Sequence, residues 1–408
     1  MLSSTSRPVV EATLPVVAEH IGQIAQRFYE HMFGARPDLL DGLFNRGNQA
    51  EGTQQVALAG SVAAFASALV QNPEQLPEQL LARVAHKHAS LGLRPDQYAV
   101  VHEHLFWAIG DVLGDAVTPE VAAAWDEVYW LMAYALIHLE RGLYSARGVR
   151  PETVYRTWEV VEKVPETADV VSFVVRRTDR RSVRTSLPGQ YVSVLVPMPD
   201  GVRQPRQYSL TRADDGEHRA FAVKRVRGGD RPDGEVSNLL CDTVEVGDTL
   251  TLSVPFGDVV LDEGGAPVVF VSAGIGVTPM AGMLSHLVAA GSDLQVVVLH
   301  ADVDEDAFAL RRQVVADAAS LGAQVHVWYE RGTDSALPVA GVHAGLLDVD
   351  AVDLPDGAAY YLCGPLPFLK GVRGALLDRG VPARAIQYEV FGPDLWQADL
   401  AATPSPGV

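Results

Sequence analysis

The chain has 408 residues, of which 48% are hydrophobic and 20% are charged, so it is globular and long enough for two to four domains of roughly 100–200 residues each. Its 32 basic and 51 acidic residues give a net charge of −19, which disfavours binding to nucleic acid or to an anionic membrane. The two cysteines, Cys241 and Cys363, exclude a disulfide framework, a four-thiolate zinc site and a cysteine-ligated iron–sulfur cluster.

The sequence shows neither a signal-peptide pattern nor an apolar run of membrane-spanning length. The longest strongly apolar run covers residues 128–137, whereas a membrane helix needs roughly 20 residues. We therefore expect a cytoplasmic protein without integral membrane association, present as a monomer.

Residues 1–148 show the periodicity of amphipathic helices. Apolar residues three or four positions apart predict helices over residues 14–32, 54–69 and 80–91. Pro95 and Pro119 are placed to start a fourth and a fifth helix, because proline is favoured in the first helical turn. This region is predicted to be all-α.

Beyond Pro151 the pattern changes to six short β-branched segments between residues 159 and 255, separated by Gly, Pro and Asp turns. This spacing predicts an antiparallel barrel or sandwich. From residue 266, four apolar segments alternate with helix-like stretches at 280–290 and 307–321, which predicts a parallel sheet covered on both faces. The chain is thus predicted to be multidomain: all-α at 1–148, antiparallel β at 153–263, and α/β at 264–408.

Two glycine turns follow strands of the predicted α/β domain. Gly274-Ile275-Gly276 separates an apolar strand from a helix begun by Thr278-Pro279, and Gly364 follows a second strand. Glycine lets the backbone approach a ligand, and the N–H groups at a helix start attract a pyrophosphate. In a doubly wound sheet both turns lie at the carboxyl edge, which favours a dinucleotide site over the alternative of a tight turn without a ligand.

A further motif, Arg206-Gln207-Tyr208-Ser209, lies in the predicted β domain. Arginine can pair with a phosphate through two N–H groups, tyrosine offers an aromatic face, and serine offers a hydroxyl donor. From these residues alone, an ordinary solvent-facing strand is the favoured interpretation, and a phosphate-binding strand is the alternative.

His88 lies on the apolar face of the third predicted helix, where a histidine is most often a satisfied core residue. Two other polar residues, Tyr98 and Glu140, also lie on largely buried helix faces. A buried carboxylate needs a partner, and a metal-ligating histidine needs an acceptor for its second N–H. Glu140 could meet both needs, which makes His88 a candidate metal ligand.

Five blocks occur in the order RQYS (206–209), GEVSN (234–238), SAGIGVTP (272–279), YLCGP (361–365) and EVFGP (389–393). Together they resemble the ferredoxin-reductase superfamily, which implies an antiparallel FAD-binding β-barrel and a doubly wound NAD(P)-binding domain. By this resemblance FAD binds to Tyr191, Arg206, Gln207, Tyr208, Ser209, Gly234, Val236, Ser237, Asn238 and Phe391. NADH or NADPH binds to Gly274, Ile275, Gly276, Val277, Thr278, Pro279, Cys363, Gly364 and Pro365. The last block adds Glu389, Val390, Gly392 and Pro393 as cofactor-binding residues.

The helical region resembles a bacterial globin through RFYEHMF (27–33), LFN (43–45), QQVALAGSVAAFA (54–66) and KHASLGLRPDQY (87–98). From about residue 10 to residue 393, the chain resembles a flavohaemoglobin. The resemblance implies haem b with His88 as the iron ligand and with Tyr98 and Glu140 completing its hydrogen-bonded relay. It places Tyr29, Gln54 and Leu58 in the distal pocket, Phe44 against the haem, and Lys87 and Glu389 near the haem–flavin junction.

Three departures from the family pattern leave the haem residues untouched. Residues 228–233 look inserted, which could reshape the flavin-phosphate loop; Val390 replaces a cysteine; and the tail after about residue 394 is long and is expected to be disordered.

The resemblance implies a nitric oxide dioxygenase, in which electrons from NAD(P)H pass through FAD to haem iron while nitric oxide and O₂ are converted to nitrate. A hydroperoxide reductase with the same electron chain is an alternative, and so is an O₂ or nitric oxide sensor or store that its reductase keeps ferrous. Asp302, Asp304, Glu305 and Asp306 follow a strand and favour NADH, because carboxylates disfavour a 2′-phosphate. Arg311 and Arg312 lie close behind and leave NADPH open.

Overall fold

A computed structural model describes residues 1–47, 52–72, 76–179, 184–229, 232–332 and 337–392. The described residues form two compact units: one holds residues 1–155 and 195–205, and the other holds 156–194 and 206–391. Within the described ranges, every helix is too short or too polar to cross a membrane. The predicted domain boundaries near 148–153 and 263–264 stay predictions.

The first unit is built mainly from helices, as predicted. They are α1 (Ser6–Ala35), α2 (Thr53–Gln71), α3 (Glu78–Leu91), α4 (Gln97–Leu113) and α5 (Pro119–Arg147). Pro119 is the first residue of α5, and the Thr118 hydroxyl accepts a hydrogen bond from the Val121 N–H. The prediction for Pro95 was slightly wrong, because α4 begins two residues later, at Gln97.

Two apolar clusters form the core of this unit. The larger one joins α1, α2, α3 and α5 through side chains such as Phe65, Leu69 and Trp125. The smaller one joins α1 to α4 around Phe28 and Tyr29. Helix α1 continues through Pro15 and therefore contributes to both clusters.

The β region forms a six-stranded sheet in the order β4-β3-β6-β1-β2-β5. Its strands are β1 (Tyr155–Pro165), β2 (Val170–Arg177), β3 (Tyr191–Pro197), β4 (Arg203–Ser209), β5 (His218–Lys224) and β6 (Thr249–Ser253). An antiparallel bridge from Leu210 to Phe221 joins the chain just after β4 to β5, so the two ends of the sheet meet. This closure selects the barrel from the predicted alternatives. Helix α6 (Glu235–Thr243), which was not predicted, follows β5.

The second sheet has the order β10-β9-β8-β7-β11-β12, with parallel pairing throughout. Its strands are β7 (Val268–Ala273), β8 (Val296–Asp302), β9 (Gln324–Tyr329), β10 (Gly341–Ala344), β11 (Ala359–Cys363) and β12 (Ile386–Glu389). The accompanying helices are α7 (Val277–Ala289), α8 (Arg311–Ser320) and α9 (Leu366–Asp378). The chain extends from β7 towards β10 on one side and towards β12 on the other, so the topological switch lies between β7 and β11.

The predicted helix over 307–321 begins later than expected. Asp304 accepts a hydrogen bond from the Ala307 N–H and holds a short 3₁₀ turn, and Leu310 has a left-handed backbone with φ of 56°. Helix α8 therefore starts at Arg311. The four-residue strands β10 and β12 and helix α9 were also not predicted.

Gly282→Ala should destabilise the second unit, because a Cβ there would lie 2.1 Å from the Leu210 carbonyl oxygen. We expect a loss of about 1–3 kcal/mol, typical of overpacking, seen as a lower midpoint of thermal unfolding. Gly371→Ala is the matched control, because Gly371 lies in a helix with nothing within 4 Å of the added atom. An unchanged midpoint for Gly282→Ala would contradict this packing.

Candidate active site

His88, Tyr98 and Glu140, from α3, α4 and α5, form one hydrogen-bonded group in which Tyr98 and Glu140 are buried. The His88 Nδ1 lies 2.9 Å from Glu140 Oε1 and 3.0 Å from the Tyr98 hydroxyl oxygen. The Tyr98 hydroxyl donates to the same Glu140 oxygen at 2.6 Å. Glu140 is 2% exposed and Tyr98 is 6% exposed, so the structure brings together the three residues singled out in the sequence.

The proton positions follow from the chemistry of these groups. An ionised carboxylate only accepts hydrogen bonds, so Glu140 requires the His88 proton to be on Nδ1. Burial and the neighbouring Glu140 carboxylate raise the pKa of Tyr98, which therefore keeps its proton and donates it. Both hydrogen bonds of the ring are made at Nδ1, so Nε2 is the nitrogen of His88 that is left to bind a metal.

This donor set fits a haem iron. A metal-ligating imidazole needs one nitrogen free of its proton and an acceptor that fixes the other nitrogen. His88 has such an acceptor in Glu140, and its side chain is 28% exposed, so part of the ring is accessible to a ligand. Among the described residues, no group of three or more His, Cys, Asp or Glu side chains could hold a metal ion.

The chain after His88 is held by a close approach to Pro151 and by two tyrosine hydroxyls that bind its backbone oxygens. Helix α3 ends at Leu91, and the next residue, Gly92, has a φ of 75°, where an added Cβ would lie 2.7 Å from the Pro151 carbonyl oxygen. The hydroxyls of Tyr129 and Tyr144 donate to the backbone oxygens of Tyr98 and Leu93, at 2.6 Å and 2.9 Å. Sequence analysis missed these two tyrosines. The one available signal is that Tyr144 follows Glu140 by four residues on α5.

The predicted distal residues form an aromatic cluster. The Tyr29 ring centroid lies 4.7 Å from that of Phe28, 5.6 Å from that of Phe33 and 6.1 Å from that of Phe44. Leu58 packs against this cluster and borders an apolar cavity of about 40 Å³ among α1, α2, α4 and α5. Gln54 lies on α2, but its side chain is outside the described residues.

Strand β4 positions the residues that the sequence assigned to FAD. Tyr208 stacks on Phe221 with 5.5 Å between ring centroids, and burial raises its pKa. The Gln207 side chain donates to the Ser193 hydroxyl at 3.0 Å, and Ser209 is buried. Tyr191 begins β3 and exchanges two backbone hydrogen bonds with Phe256. Arg206 lies on the same strand as Tyr208 and is close enough to lower the pKa of that phenol in part.

The start of α6 is tied to the chain after β5. The Ser237 hydroxyl accepts a hydrogen bond from the Val226 N–H, and the Asn238 amide donates to the carbonyl oxygens of Val226 and Gly234. A Cβ at Gly234 would lie 2.7 Å from the Ser237 hydroxyl oxygen. These side chains therefore shape the turn, while the backbone N–H groups at the helix start, including that of Val236, are the ones suited to a phosphate. Residues 230 and 231 of the predicted insertion lie outside the described residues.

The two glycine turns meet at the topological switch. Ser272 and Cys363 are register partners in the adjacent strands β7 and β11. A Cβ at Gly276 would lie 2.3 Å from the Cys363 carbonyl oxygen and 2.8 Å from the Gly364 nitrogen, so the two turns touch through their backbones. Gly274 has a φ of 53°, and Ile275, Val277, Thr278 and Pro279 complete the turn into α7.

The last motif, EVFGP (389–393), begins at the final residue of β12. Glu389 ends this strand and is buried, Val390 and Gly392 continue the chain, and Phe391 is 47% exposed. Pro393 lies outside the described residues, and Pro365 immediately precedes α9. Lys87 directly precedes His88 on α3. The cofactor roles of these residues stay predictions.

Comparison with protein families divides the chain into three parts. Residues 26–136 match the globin family, residues 157–260 match an oxidoreductase FAD-binding domain, and residues 270–374 match an oxidoreductase NAD-binding domain. The predicted fold class, an all-α globin followed by an antiparallel β-barrel and a doubly wound α/β domain, is confirmed.

Curated relatives named flavohemoprotein match almost the entire chain. The Bordetella pertussis protein is 44% identical over 404 residues, covering 96% of this chain and 99% of its own length. The Rhizobium meliloti protein is 40% identical over 405 residues, covering 97% and 100%.

Solved structures give the same result. A flavohemoglobin from Malassezia yamatoensis with bound FAD and heme is 40% identical, with a TM-score of 0.87, and covers 96% of this chain and 100% of that one. The FAD/NAD-binding domain of a nitric oxide dioxygenase from Vibrio cholerae is 36% identical, with a TM-score of 0.54, and covers 58% of this chain and 99% of that one.

His88→Ala should give a protein without stably bound haem but with normal FAD, because the residues predicted to bind FAD lie in the other unit. The measurement is the haem and flavin content of the purified protein by absorption spectroscopy. His102→Ala is the control: that ring stacks on Phe106 and bonds to Asp126 with 2.7 Å between Nε2 and Oδ1, so haem should be retained. Full haem content with an unchanged spectrum in His88→Ala would show that another residue is the ligand.

Proposed function

The chain belongs to the flavohemoprotein family, and we propose that it is a nitric oxide dioxygenase, which converts nitric oxide and O₂ to nitrate with electrons from NADH or NADPH. It is an oxidoreductase whose cofactors are haem, FAD and a nicotinamide dinucleotide. The observation that carries the proposal is the Glu140–His88–Tyr98 group on the same chain as FAD-binding and NAD-binding oxidoreductase domains. A simple oxygen carrier has no need of an attached reductase. The name of the Vibrio cholerae relative supports the same activity.

The bound cofactors would supply hydride acceptance, single-electron transfer and O₂ binding. On the side of the haem where His88 binds, the protein controls the electron density of the His88 imidazole. Glu140 accepts the Nδ1–H and makes the ring more electron-rich, which favours donation of electron density from Nε2. Tyr98 gives the Glu140 carboxylate a second hydrogen bond, which offsets part of the cost of burying its charge.

On the distal side, Tyr29 is proposed to stabilise the partial negative charge of the diatomic ligand through its hydroxyl. The surrounding rings of Phe28, Phe33 and Phe44 exclude water and hold the phenol in one position. The apolar cavity beside Leu58 suits O₂ and nitric oxide, which are both small and weakly polar.

We propose NADH as the preferred reductant. Arg311, the cation nearest to the end of β8 in the sequence, is engaged by Glu305: its Nη1 lies 2.7 Å from Glu305 Oε1 and 2.8 Å from the Glu305 carbonyl oxygen. Asp302 ends β8, where an adenosine ribose binds in doubly wound folds. A carboxylate there and an occupied arginine both disfavour a 2′-phosphate.

The experiment that tests the proposal is the stoichiometry of turnover with NADH. A dioxygenase consumes nitric oxide and O₂ in equal amounts and forms nitrate. A sensor or store binds both gases with little turnover, and a hydroperoxide reductase oxidises NADH rapidly only when a hydroperoxide is added. Absence of nitrate during sustained NADH oxidation would rule out the proposal.

Tyr29→Phe should keep the haem and the packing, because only the hydroxyl is removed. One hydrogen bond to a partly charged ligand is worth about 1.5–3 kcal/mol, so O₂ dissociation should quicken by about one to two orders of magnitude. Nitrate formation should fall with it, whereas reduction of FAD by NADH should not change. The control is Tyr134→Phe, since Tyr134 is 62% exposed on α5. Wild-type O₂ dissociation and nitrate formation in Tyr29→Phe would show that this hydroxyl does not serve the ligand.

Glu305→Gln should raise kcat/KM for NADPH relative to NADH by up to about tenfold, because Arg311 loses its charged partner and becomes available to a phosphate. Steady-state oxidation of each nucleotide measures the ratio. Glu263→Gln is the control, because Glu263 pairs with His286 instead. An unchanged ratio of the two kcat/KM values would show that Arg311 does not influence the choice between NADH and NADPH.

A further inference from the structure

The turn at residues 39–46, here called the distal turn, carries apolar and polar side chains with different partners. Leu39, Leu43 and Phe44 pack into the cluster that contains Tyr29. The Phe44 ring lies edge-on to Tyr29, with 6.1 Å between centroids, and edge-on to Phe33 at 5.1 Å. The polar residues of the same turn, Asp41 and Arg46, bind to residues 195–205, which belong to the same compact unit.

The first anchor joins Asp41 to Arg203. The Asp41 carboxylate accepts hydrogen bonds from the backbone nitrogen, the Nε and the Nη2 of Arg203, at 2.8 Å, 3.0 Å and 2.7 Å. The hydrogen bond from the Arg203 guanidinium lowers the pKa of Asp41, so the carboxylate is ionised at neutral pH. The Gly42 N–H donates to the Arg203 carbonyl oxygen at 2.8 Å.

The second anchor lies at the other end of the turn. The Arg46 N–H donates to the Gln204 side-chain oxygen at 3.0 Å, and Gln204 is fully buried. The Arg46 guanidinium pairs with Asp200. Between the anchors, Gly42 has a φ of 79°, and a Cβ there would lie 3.6 Å from a Leu195 methyl group, so the turn passes close against β3.

We propose that Asp41 and Arg203 are positioning residues for the distal pocket. Leu43 and Phe44 lie between the two anchors, so the anchors fix where the Phe44 ring stands against Tyr29. A segment of the β3–β4 region thereby sets the shape of the pocket that holds the diatomic ligand. The proposal rests on the distal role given to Tyr29 under the proposed function, and it makes ligand retention depend on an ion pair that does not touch the ligand.

The test uses full-length, haem-loaded protein with Asp41→Asn and Arg203→Gln singly and together. Carbon monoxide is the probe, with its dissociation rate and its C–O stretching frequency as readouts. We expect each single variant to change the dissociation rate by up to about fivefold, equivalent to about 1 kcal/mol, because the pair is partly exposed. We expect the double variant to change it no further, since the pair acts as a unit. The stretching frequency should shift in all three variants, because it reports the ring positions and polarity around the ligand.

Asp38→Asn is the matched control. It removes the exposed Arg36–Asp38 pair just before the distal turn and should leave both readouts unchanged. Wild-type rates and frequencies in both single variants would overturn the proposal, and so would additive effects in the double variant, because the residues would then act separately. The carbon monoxide readouts need no nitric oxide turnover. A protein that forms no nitrate would therefore still reveal whether the anchors position Phe44.

Discussion

The buried Glu140 carboxylate is the constraint on which the helical unit depends. With 2% exposure, its charge is tolerated because Tyr98 and His88 both donate to one of its oxygens. The three residues come from three helices, so the hydrogen bonds also fix how α3, α4 and α5 meet. The same interaction fixes the His88 tautomer and leaves Nε2 as the nitrogen that can bind iron. The same hydrogen bonds of Glu140 therefore stabilise the packing of the helices and prepare His88 to bind iron.

In the α/β region, the candidate dinucleotide site is formed mainly by backbone, whereas the His88 group is formed by side chains. The turn after β7 and the turn after β11 approach so closely that a Cβ at Gly276 would collide with Cys363. Glycine is the residue that allows this contact, because any side chain at Gly276 would strike the backbone of the facing turn. The arrangement explains why the motifs at residues 272–279 and 361–365 contain glycine.

The elements that sequence analysis missed or misplaced depend on local features that apolar periodicity does not report. Helix α8 starts late because Asp304 caps a separate turn and Leu310 adopts a left-handed backbone, neither of which apolar periodicity reports. Strands β10 and β12 contain four residues each, too few for an alternating pattern to stand out. Helix α4 starts later because the Gln97 and Tyr98 N–H groups donate to the carbonyl oxygens of Arg94 and Pro95, three residues before them, and so form a tighter turn ahead of the helix.

The amino-acid sequence by itself determined the three-part architecture and the identity of most candidate site residues. Periodicity and β-branching are local properties, and glycine and arginine motifs are contiguous, so both can be read along the chain. Only the tertiary structure decided that Glu140 receives hydrogen bonds from both His88 and Tyr98, that Tyr129 and Tyr144 support them, and that Asp41 binds Arg203, 162 residues away. Such pairings depend on how helices and strands pack, and residues distant in sequence carry no local signal of their partners.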